Sequence, residues 1–539
     1  MTTREEGVGP LIEAAMAHGP MSFEGLLERL AAAGLVRGTS GDRGFARVTG
    51  VAEDSRTVGA GTVFVAVPGF HVDGHEFVAR AAAAGAAAVI VERPVPGVDA
   101  PQIVVSSSRA ALAVAAAWWS GDPSRELGVV GITGTDGKTT TSFLAVAALE
   151  AAGISTGMVG TVETKVGAIR ERHEAHVTTP GAVELGATLR AMVTAGNAAA
   201  VVETTSHALE LERVAGIAYD AAIFTNLTHE HLELHGTFER YRAAKLRLFA
   251  ALAEGLGNPR VTVAGRPWPK VAVINRDDPA APWFETAARE ARAEVIGYGT
   301  GASADVRAVS LDEDAHRLRV AFAAPSGSGV LDLRLAGRFN VHNALAVVAL
   351  GDALGLDPAG VRAGLEGVRG VPGRMERIEA GQPFGVIVDY AHSPASLQGV
   401  LELLAPIAAA RGGGLIAVFG SGGERDTAKR AAMGRIAGER CRLVVATDED
   451  PRGEDRQAII DEIVRGAEEA GRRRDVDVLA IPDRRQAIAV AMGRARPGDV
   501  VLLAGKGHEP TILYADHAIP WDEASVARET LAAMGYTGA

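Results

Sequence analysis

Residues 126–153 leave this chain few folds to choose from. Positions 126–133 (ELGVVGIT) form a short apolar run, the pattern of a strand buried in a parallel sheet. The run breaks at Gly134, Thr135, Asp136, Gly137, Lys138, Thr139 and Thr140, and positions 141–152 then read as a helix that stops at Gly153. A glycine-rich turn between a strand and a helix start lets backbone N–H groups close on a phosphate. Lys138 is placed to neutralise β- and γ-phosphate oxygens, and the Thr139 hydroxyl to ligate Mg²⁺. The generic phosphate-loop pattern wants a glycine where this chain has Ile132; its glycines are Gly131 and Gly134. Strand, Gly-Lys-Thr-Thr and helix in that order still point to a nucleoside triphosphate.

With 539 residues, the chain is long enough for roughly three domains of about 100–200 residues each. A net charge of -12 argues against a nucleic-acid partner, which would want a basic face. The single cysteine, Cys441, excludes an internal disulfide and suits a reducing compartment. The charged start MTTREEGVGP is followed by no apolar segment of signal-peptide length, and the alanine-rich runs are too short and too interrupted to span a membrane. The expectation is a cytoplasmic protein without membrane insertion.

Residues 1–45 carry one helical stretch, 23–33, ahead of a Gly/Ser segment, and are taken as an N-terminal extension. From Val48 strands and helices alternate, giving a small α/β domain that closes at Gly121-Asp122-Pro123. Ser55, Arg56, His71 and Asp73 sit in its loops, where turn chemistry alone would also place such residues. The central domain, 124–368, continues the alternation. Its strand 199–203 ends on Glu203, the position of a second Mg²⁺ ligand in a phosphate-loop fold. His231, Glu233 and His235 lack the His-Glu-x-x-His spacing of a zinc site, and Lys245 reads by default as a solvated helix residue. The third domain, 369–539, reads as doubly wound α/β. Strands 385–390, 415–419, 443–447 and 500–504 each end in a charged, glycine- or proline-bearing loop, an arrangement that indicates one ligand-binding edge.

Together these loops resemble the Mur ligases of bacterial cell-wall synthesis, in particular the MurE type. The resemblance runs from about Val48 to near the C-terminus. It is carried by 131–141 (GITGTDGKTTT), Thr178-Thr179-Pro180, 203–209 (ETTSHAL), 340–343 (NVHN), Pro372-Gly373-Arg374, 389–392 (DYAH), 448–452 (DEDPR) and 505–509 (GKGHE). It implies three α/β domains: a uridine-binding N-terminal domain, a central phosphate-loop ATPase with a mostly parallel sheet, and a Rossmann-like C-terminal domain. It implies an ATP-dependent amide ligase that adds a diamino acid, meso-diaminopimelate first, to UDP-N-acetylmuramoyl-L-alanyl-D-glutamate through an acyl phosphate, as a monomer. L-Lysine or L-ornithine remains as the alternative amino acid. A relative such as folylpolyglutamate synthetase is the alternative ligase, against which the uridine-type domain and the Glu509 loop argue.

The resemblance also assigns roles. Lys138, Glu203, His207 and Lys245 are implied as catalytic, with Thr139, Glu203, His207 and Lys245 (as a carbamate) holding Mg²⁺. Gly134 to Thr140, Asn340, Arg374 and Asp389 are implied for ATP. Ser55, Arg56, His71, Asp73, Thr178, Thr179, Ser206 and Arg213 are implied for the uridine-bearing substrate. Arg425, Glu449, Asp450, Arg452, Gly505 and Glu509 are implied for the diamino acid, with Arg452 reading a distal carboxylate and the three acids available to an ammonium. Three positions depart from the family pattern: Asp136 replaces Asn, Glu230 replaces Asp, and Asp450 replaces the Asn of Asp-Asn-Pro-Arg, whose first position is here Glu449.

Overall fold

Strands made of uninterrupted apolar residues are stable only when both faces of their sheet are covered, and each large sheet here meets that condition. The computed structural model describes residues 7–41, 47–69, 72–172, 178–228, 232–253, 258–313, 317–335, 337–424 and 426–538. Three large sheets follow one another along the chain. The first is five-stranded, with parallel strands Gly50–Ala52, Thr62–Val65, Ala88–Val91 and Gln102–Val105 and an antiparallel edge strand, Val36–Ser40.

The central sheet has 11 strands, and Gly128–Thr133 runs through its middle between Ala199–Glu203 and Ala221–Phe224, parallel to both. All six residues of Gly128–Thr133 are buried. Its glycines let the layers approach closely. A Cβ on Gly128 would lie 2.4 Å from the Trp268 ring, and one on Gly131 would lie 2.7 Å from Tyr219 and Leu248. Antiparallel strands close both ends of this sheet, Glu163–Val166 and Ile169–Arg172 on one side, Leu318–Ala324 and Gly327–Leu333 on the other.

The third sheet is six-stranded and parallel except for its edge strand Glu376–Arg377. Separate apolar clusters cover its two faces, one around Leu401, Phe419 and Ile463, the other around Val388, Val418 and Leu531. It is a doubly wound sheet with its loops gathered at the carboxyl ends of the strands. The helix Ala182–Thr194 grips the connection between the first two units, since Arg190 donates to the Ser120 and Gly121 carbonyls at 2.7 and 2.8 Å and pairs with Glu126. Among the described residues no helix is long and apolar enough to cross a membrane.

Within the N-terminal extension the described residues 7–41 pack against the rest of the fold and are no loose appendage. Val8–Ala15 is a helix whose Val8, Leu11 and Ile12 pack into the central unit's core. Phe23–Ala32 buries Leu26 and Leu30 completely, against a cluster that includes Trp118 and Trp119. In Phe23–Ala32 the buried residues Phe23, Leu26, Leu27 and Leu30 recur with the period of one helix face. Leu26→Ala should therefore cost about 2–5 kcal/mol of stability. Denaturant unfolding measures this, and a wild-type midpoint would return the segment to the status of an appendage.

Candidate functional site

The turn after Gly128–Thr133 is shaped by the loop of the neighbouring strand. A Cβ on Gly134 would lie 1.8 Å from Thr225 Oγ1, and Gly137, with φ of 83°, sits where a Cβ would meet Asn343 Oδ1 at 2.5 Å. Thr225 Oγ1 donates to the Asp136 carbonyl at 2.7 Å, and Asn226 Oδ1 accepts from the Asp136 N–H at 2.9 Å. Lys138 Nζ curls over the turn and donates to the carbonyls of Gly134 and Thr135 at 3.0 and 2.7 Å. The result is a glycine-lined concavity at a helix N-terminus with an ammonium beside it, the geometry that binds a polyphosphate.

Beside it lies Glu203, paired in register with Ile132 and without solvent exposure. One carboxylate oxygen accepts from Thr139 Oγ1 at 3.0 Å and Thr161 Oγ1 at 2.8 Å, while the other accepts the Thr161 N–H at 3.0 Å. Thr179 Oγ1 donates to the Glu203 carbonyl at 2.7 Å, and Thr178 Oγ1 stands 3.1 Å from Thr161 Oγ1. Arg213 donates to the Thr179 carbonyl at 3.1 Å, and the buried Ser206 hydroxyl has no hydrogen-bond partner among the described residues. Lys245 is buried, not solvated. Its Nζ donates to the Gly134 carbonyl at 2.7 Å and lies 4.6 Å over the Tyr241 ring, whose hydroxyl meets Thr135 Oγ1 at 3.1 Å. The His207 ring lies 5.9 Å from that of His235. Contacts thus join Lys138, Thr139, Thr178, Thr179, Glu203, Arg213 and Lys245 around one loop, and Ser206 and His207 open the short helix Ser206–Glu210 that follows Glu203. Among the described residues no group of three or more His, Cys, Asp or Glu could hold a metal ion. The donor set is a carboxylate with threonine hydroxyls, hard oxygens that suit Mg²⁺ when phosphate and water complete its shell.

A cleft of about 360 Å³ opens on the far side of the turn, lined by Asp136, Gly137, Asn226, Asn275, Asp277 and His342 among others. His342 Nε2 pairs with Asp277 at 2.8 Å. Asn340, implied for ATP, is buried, does not line this cleft and accepts from Asn343 Nδ2 at 2.9 Å. Arg374 and Asp389 do not line the cleft either. They belong to the third sheet, where Asp389 accepts the N–H groups of Met375 and Ala391 at 2.8 Å each and Arg374 lies 4.7 Å over the Tyr390 ring. Burial pushes the Asp389 carboxyl up, against the opposing pull of Arg374 and those two N–H groups. In the first unit Ser55 is buried, Arg56 pairs with Asp54 at 2.6 Å, and Asp73 caps a turn through the His75 N–H while pairing with His75 and Arg93. Asp73 is therefore engaged by the fold. His71 and Arg425 lie outside the described residues.

At the third sheet's carboxyl edge the three acids divide. Lys506, with no exposed side-chain surface, bonds Asp450 at 2.8 Å and Glu509 at 2.6 Å, so an internal ammonium already occupies those two carboxylates. Glu509 also accepts from the Tyr390 hydroxyl at 3.1 Å. Glu449 differs: its buried Oε2 has no hydrogen-bond partner among the described residues and lies where a Cβ on Gly505 would meet it at 2.7 Å. Sequence had offered all three acids alike to an incoming ammonium. Arg452 has φ of 52°, and its backbone N–H donates to the Leu513 carbonyl at 3.0 Å. Its guanidinium makes no ion pair among the described residues. Thr161, Tyr241 and Lys506 were missed as site residues. Lys506 had a visible signal in its place inside Gly-Lys-Gly-His-Glu, and Tyr241 in the run 241–245 that ends on Lys245.

A phosphate-loop unit carrying a buried acid and lysine, joined to a doubly wound unit with an ionic pocket, defines a nucleotide-dependent ligase class in architecture. The comparisons narrow it. The chain matches the models of the Mur ligase family catalytic domain over residues 47–119, the Mur ligase middle domain over 132–351 and the Mur ligase glutamate ligase domain over 373–507. It is 49% identical over 497 residues to a UDP-N-acetylmuramyl-tripeptide synthetase of Roseiflexus sp. (strain RS-1), covering 91% of this chain and 96% of that protein. It is 39% identical to a UDP-N-acetylmuramoyl-L-alanyl-D-glutamate–2,6-diaminopimelate ligase of Geobacillus kaustophilus, covering 89% and 94%. A solved structure of a ligase with that second name superposes with a TM-score of 0.62 at 29% identity, covering 91% and 96%. The chain belongs to the Mur ligase family. It is an ATP-dependent ligase of peptidoglycan precursor synthesis that forms a carbon–nitrogen bond.

Gly134→Ala tests the loop. Displacing Thr225 should cost about 1–3 kcal/mol of loop strain, roughly 5- to 150-fold in ATP affinity. Calorimetric titration with a non-hydrolysable ATP analogue reads this, and unchanged affinity would remove the loop from the nucleotide site.

Proposed function

We propose that this ligase joins the D-glutamate carboxylate of UDP-N-acetylmuramoyl-L-alanyl-D-glutamate to the amine of meso-diaminopimelate, in the cytoplasm and as a monomer. In this reading residues 1–123 take the uridine-bearing substrate, 124–368 take ATP and 369–539 take the amino acid. The observation that carries the choice of amino acid is the charge arrangement at the third sheet's edge. Lys506 neutralises Asp450 and Glu509, while the Arg452 guanidinium makes no ion pair among the described residues. An arginine in that state suits a carboxylate by a two-pronged contact, and diaminopimelate carries one at the end of its side chain.

The chemistry needs two anions to meet. A D-glutamate carboxylate oxygen attacks the γ-phosphorus of ATP, the bond to the bridging oxygen breaks, and ADP leaves with the electron pair. The amine nitrogen then attacks the acyl carbon, inorganic phosphate leaves, and the nitrogen loses a proton. Lys138 offsets charge at the phosphates, and Thr178, Thr179, Ser206 and Arg213 hold the muramoyl peptide. Thr139, Glu203, His207 and Lys245 as a carbamate would hold Mg²⁺, which when bound supplies further positive charge against the phosphates. A carbamate on Lys245 would replace an ammonium by an anionic oxygen ligand. Arg374 and Asp389 would reach the nucleotide when the third unit closes over the second.

A second reading rests on Glu449, whose buried Oε2 suits an ammonium, and favours L-lysine or L-ornithine. ATP-to-ADP turnover with the UDP-dipeptide and each of the three amino acids decides between them. Turnover with diaminopimelate alone is expected; turnover with lysine or ornithine alone transfers the selectivity to Glu449, and silence with all three overturns the reaction. In the same assay Arg452→Ala should lose a charged hydrogen-bonded pair worth about 1.5–3 kcal/mol, raising the diaminopimelate KM roughly 10- to 150-fold. The ATP KM should stay within about twofold, and equal rises in both would remove Arg452 from carboxylate recognition.

A further inference from the structure

The two loops that carry Glu449, Asp450 and Arg452 and then Lys506 and Glu509 leave strands that are not neighbours. Val500–Ala504 and Leu443–Ala446 lie on opposite sides of Leu415–Phe419, so no shared ladder of hydrogen bonds sets their spacing. Lys506 joins the loops directly through Asp450, and a side chain from outside both loops joins their roots. Arg484, the first residue of the helix Arg484–Gly493, donates from one terminal nitrogen to the Asp448 carbonyl at 2.9 Å and from the other to the Ala504 carbonyl at 2.8 Å. These are the residues immediately before Glu449 and Gly505. The remaining face of the guanidinium is held by Glu523, with Nε at 3.0 Å and a terminal nitrogen at 2.5 Å from the carboxylate oxygens. Neither side chain has any exposed surface. Trp521 Nε1 donates to the same carboxylate at 2.5 Å.

We propose that Arg484, oriented by Glu523, is a positioning residue for the amino-acid pocket: it fixes the separation of the two loops whose charged groups read the incoming amino acid. The inference rests on the reading that these loops take the amino acid. A planar fork is required, because one group must satisfy two carbonyls and a carboxylate in fixed directions. A lysine keeps the charge opposite Glu523 but cannot make all three contacts. A buried arginine could instead serve stability alone, and the two roles have different kinetic signatures.

The test is Arg484→Lys in the full-length enzyme, with KM measured for ATP, for the UDP-dipeptide and for whichever amino acid the native enzyme uses. Loosening the pocket should raise the amino-acid KM about tenfold or more, since misplacement of a positioning contact by around 1 Å is costly, with the other two KM values within twofold. A change in all three together, or in none, overturns the proposal. Trp521→Phe, which removes only the donor to Glu523, gives a milder second variant if Arg484→Lys does not fold. It should move the amino-acid KM alone, about two- to fivefold, and no selective movement overturns the proposal. Arg452→Ala or Glu449→Gln in the same assay separates the two levels of inference. If the native enzyme uses diaminopimelate and Arg452→Ala leaves its KM unchanged, or uses lysine or ornithine and Glu449→Gln leaves its KM unchanged, the loops do not take the amino acid and both readings fall. If that variant raises the KM while Arg484→Lys does not, the positioning role alone falls.

Discussion

The Glu203 carboxylate has no exposure to water, so its charge must be compensated by groups that the fold brings to it. Three contacts do so: the Thr139 hydroxyl from the start of the phosphate-loop helix, and the hydroxyl and N–H of Thr161 from the turn after Thr156–Val159. These groups come from separate strand–loop units of the central sheet. Their convergence ties the position of the phosphate loop to that of Thr178 and Thr179. It also requires glycine at position 160, where a Cβ would lie 2.5 Å from the carboxylate. Much of the central site's geometry follows from satisfying this one acid.

The third unit solves a related problem with a cation. Lys506 is enclosed between Asp450 and Glu509, and Arg484 between Glu523 and two backbone carbonyls. Breaking a buried pair by removing one partner exposes the other to the full desolvation penalty. Both cations therefore hold loops in place more firmly than surface pairs such as Arg56 with Asp54 can. Asp448, at the root of the same edge, is held by Arg456 and by the Tyr514 hydroxyl at 3.0 Å, and burial raises its carboxyl above the ordinary range.

Much of the architecture was legible because its strands are apolar runs bounded by glycine and charge. Ala199–Glu203, Leu415–Phe419 and Val500–Ala504 have the limits that pattern assigns. The antiparallel strands Val306–Glu313 and Gly327–Leu333 escaped it, because exposed polar residues interrupt them. The helix Val8–Ala15 escaped because its partners lie in a unit more than a hundred residues away. In the site, local motifs pointed to Gly134, Lys138, Thr139 and Glu203. Thr161, Arg484 and Glu523 belong to no recognisable run, and each matters only through a contact made across the fold.

Sequence alone determined the phosphate-binding turn, since a strand, a glycine-rich turn and a helix start are contiguous and their backbone chemistry is local. It also determined the order of the α/β units and the set of charged residues at the third sheet's edge. Tertiary structure decided which of those charges are already spent. Lys506 takes Asp450 and Glu509, Glu449 keeps a buried oxygen without a partner among the described residues, and Lys245 is drawn from a helix face onto the Gly134 carbonyl. The physical reason is that charge compensation in a low-dielectric interior depends on distances of a few ångströms between residues far apart in the chain.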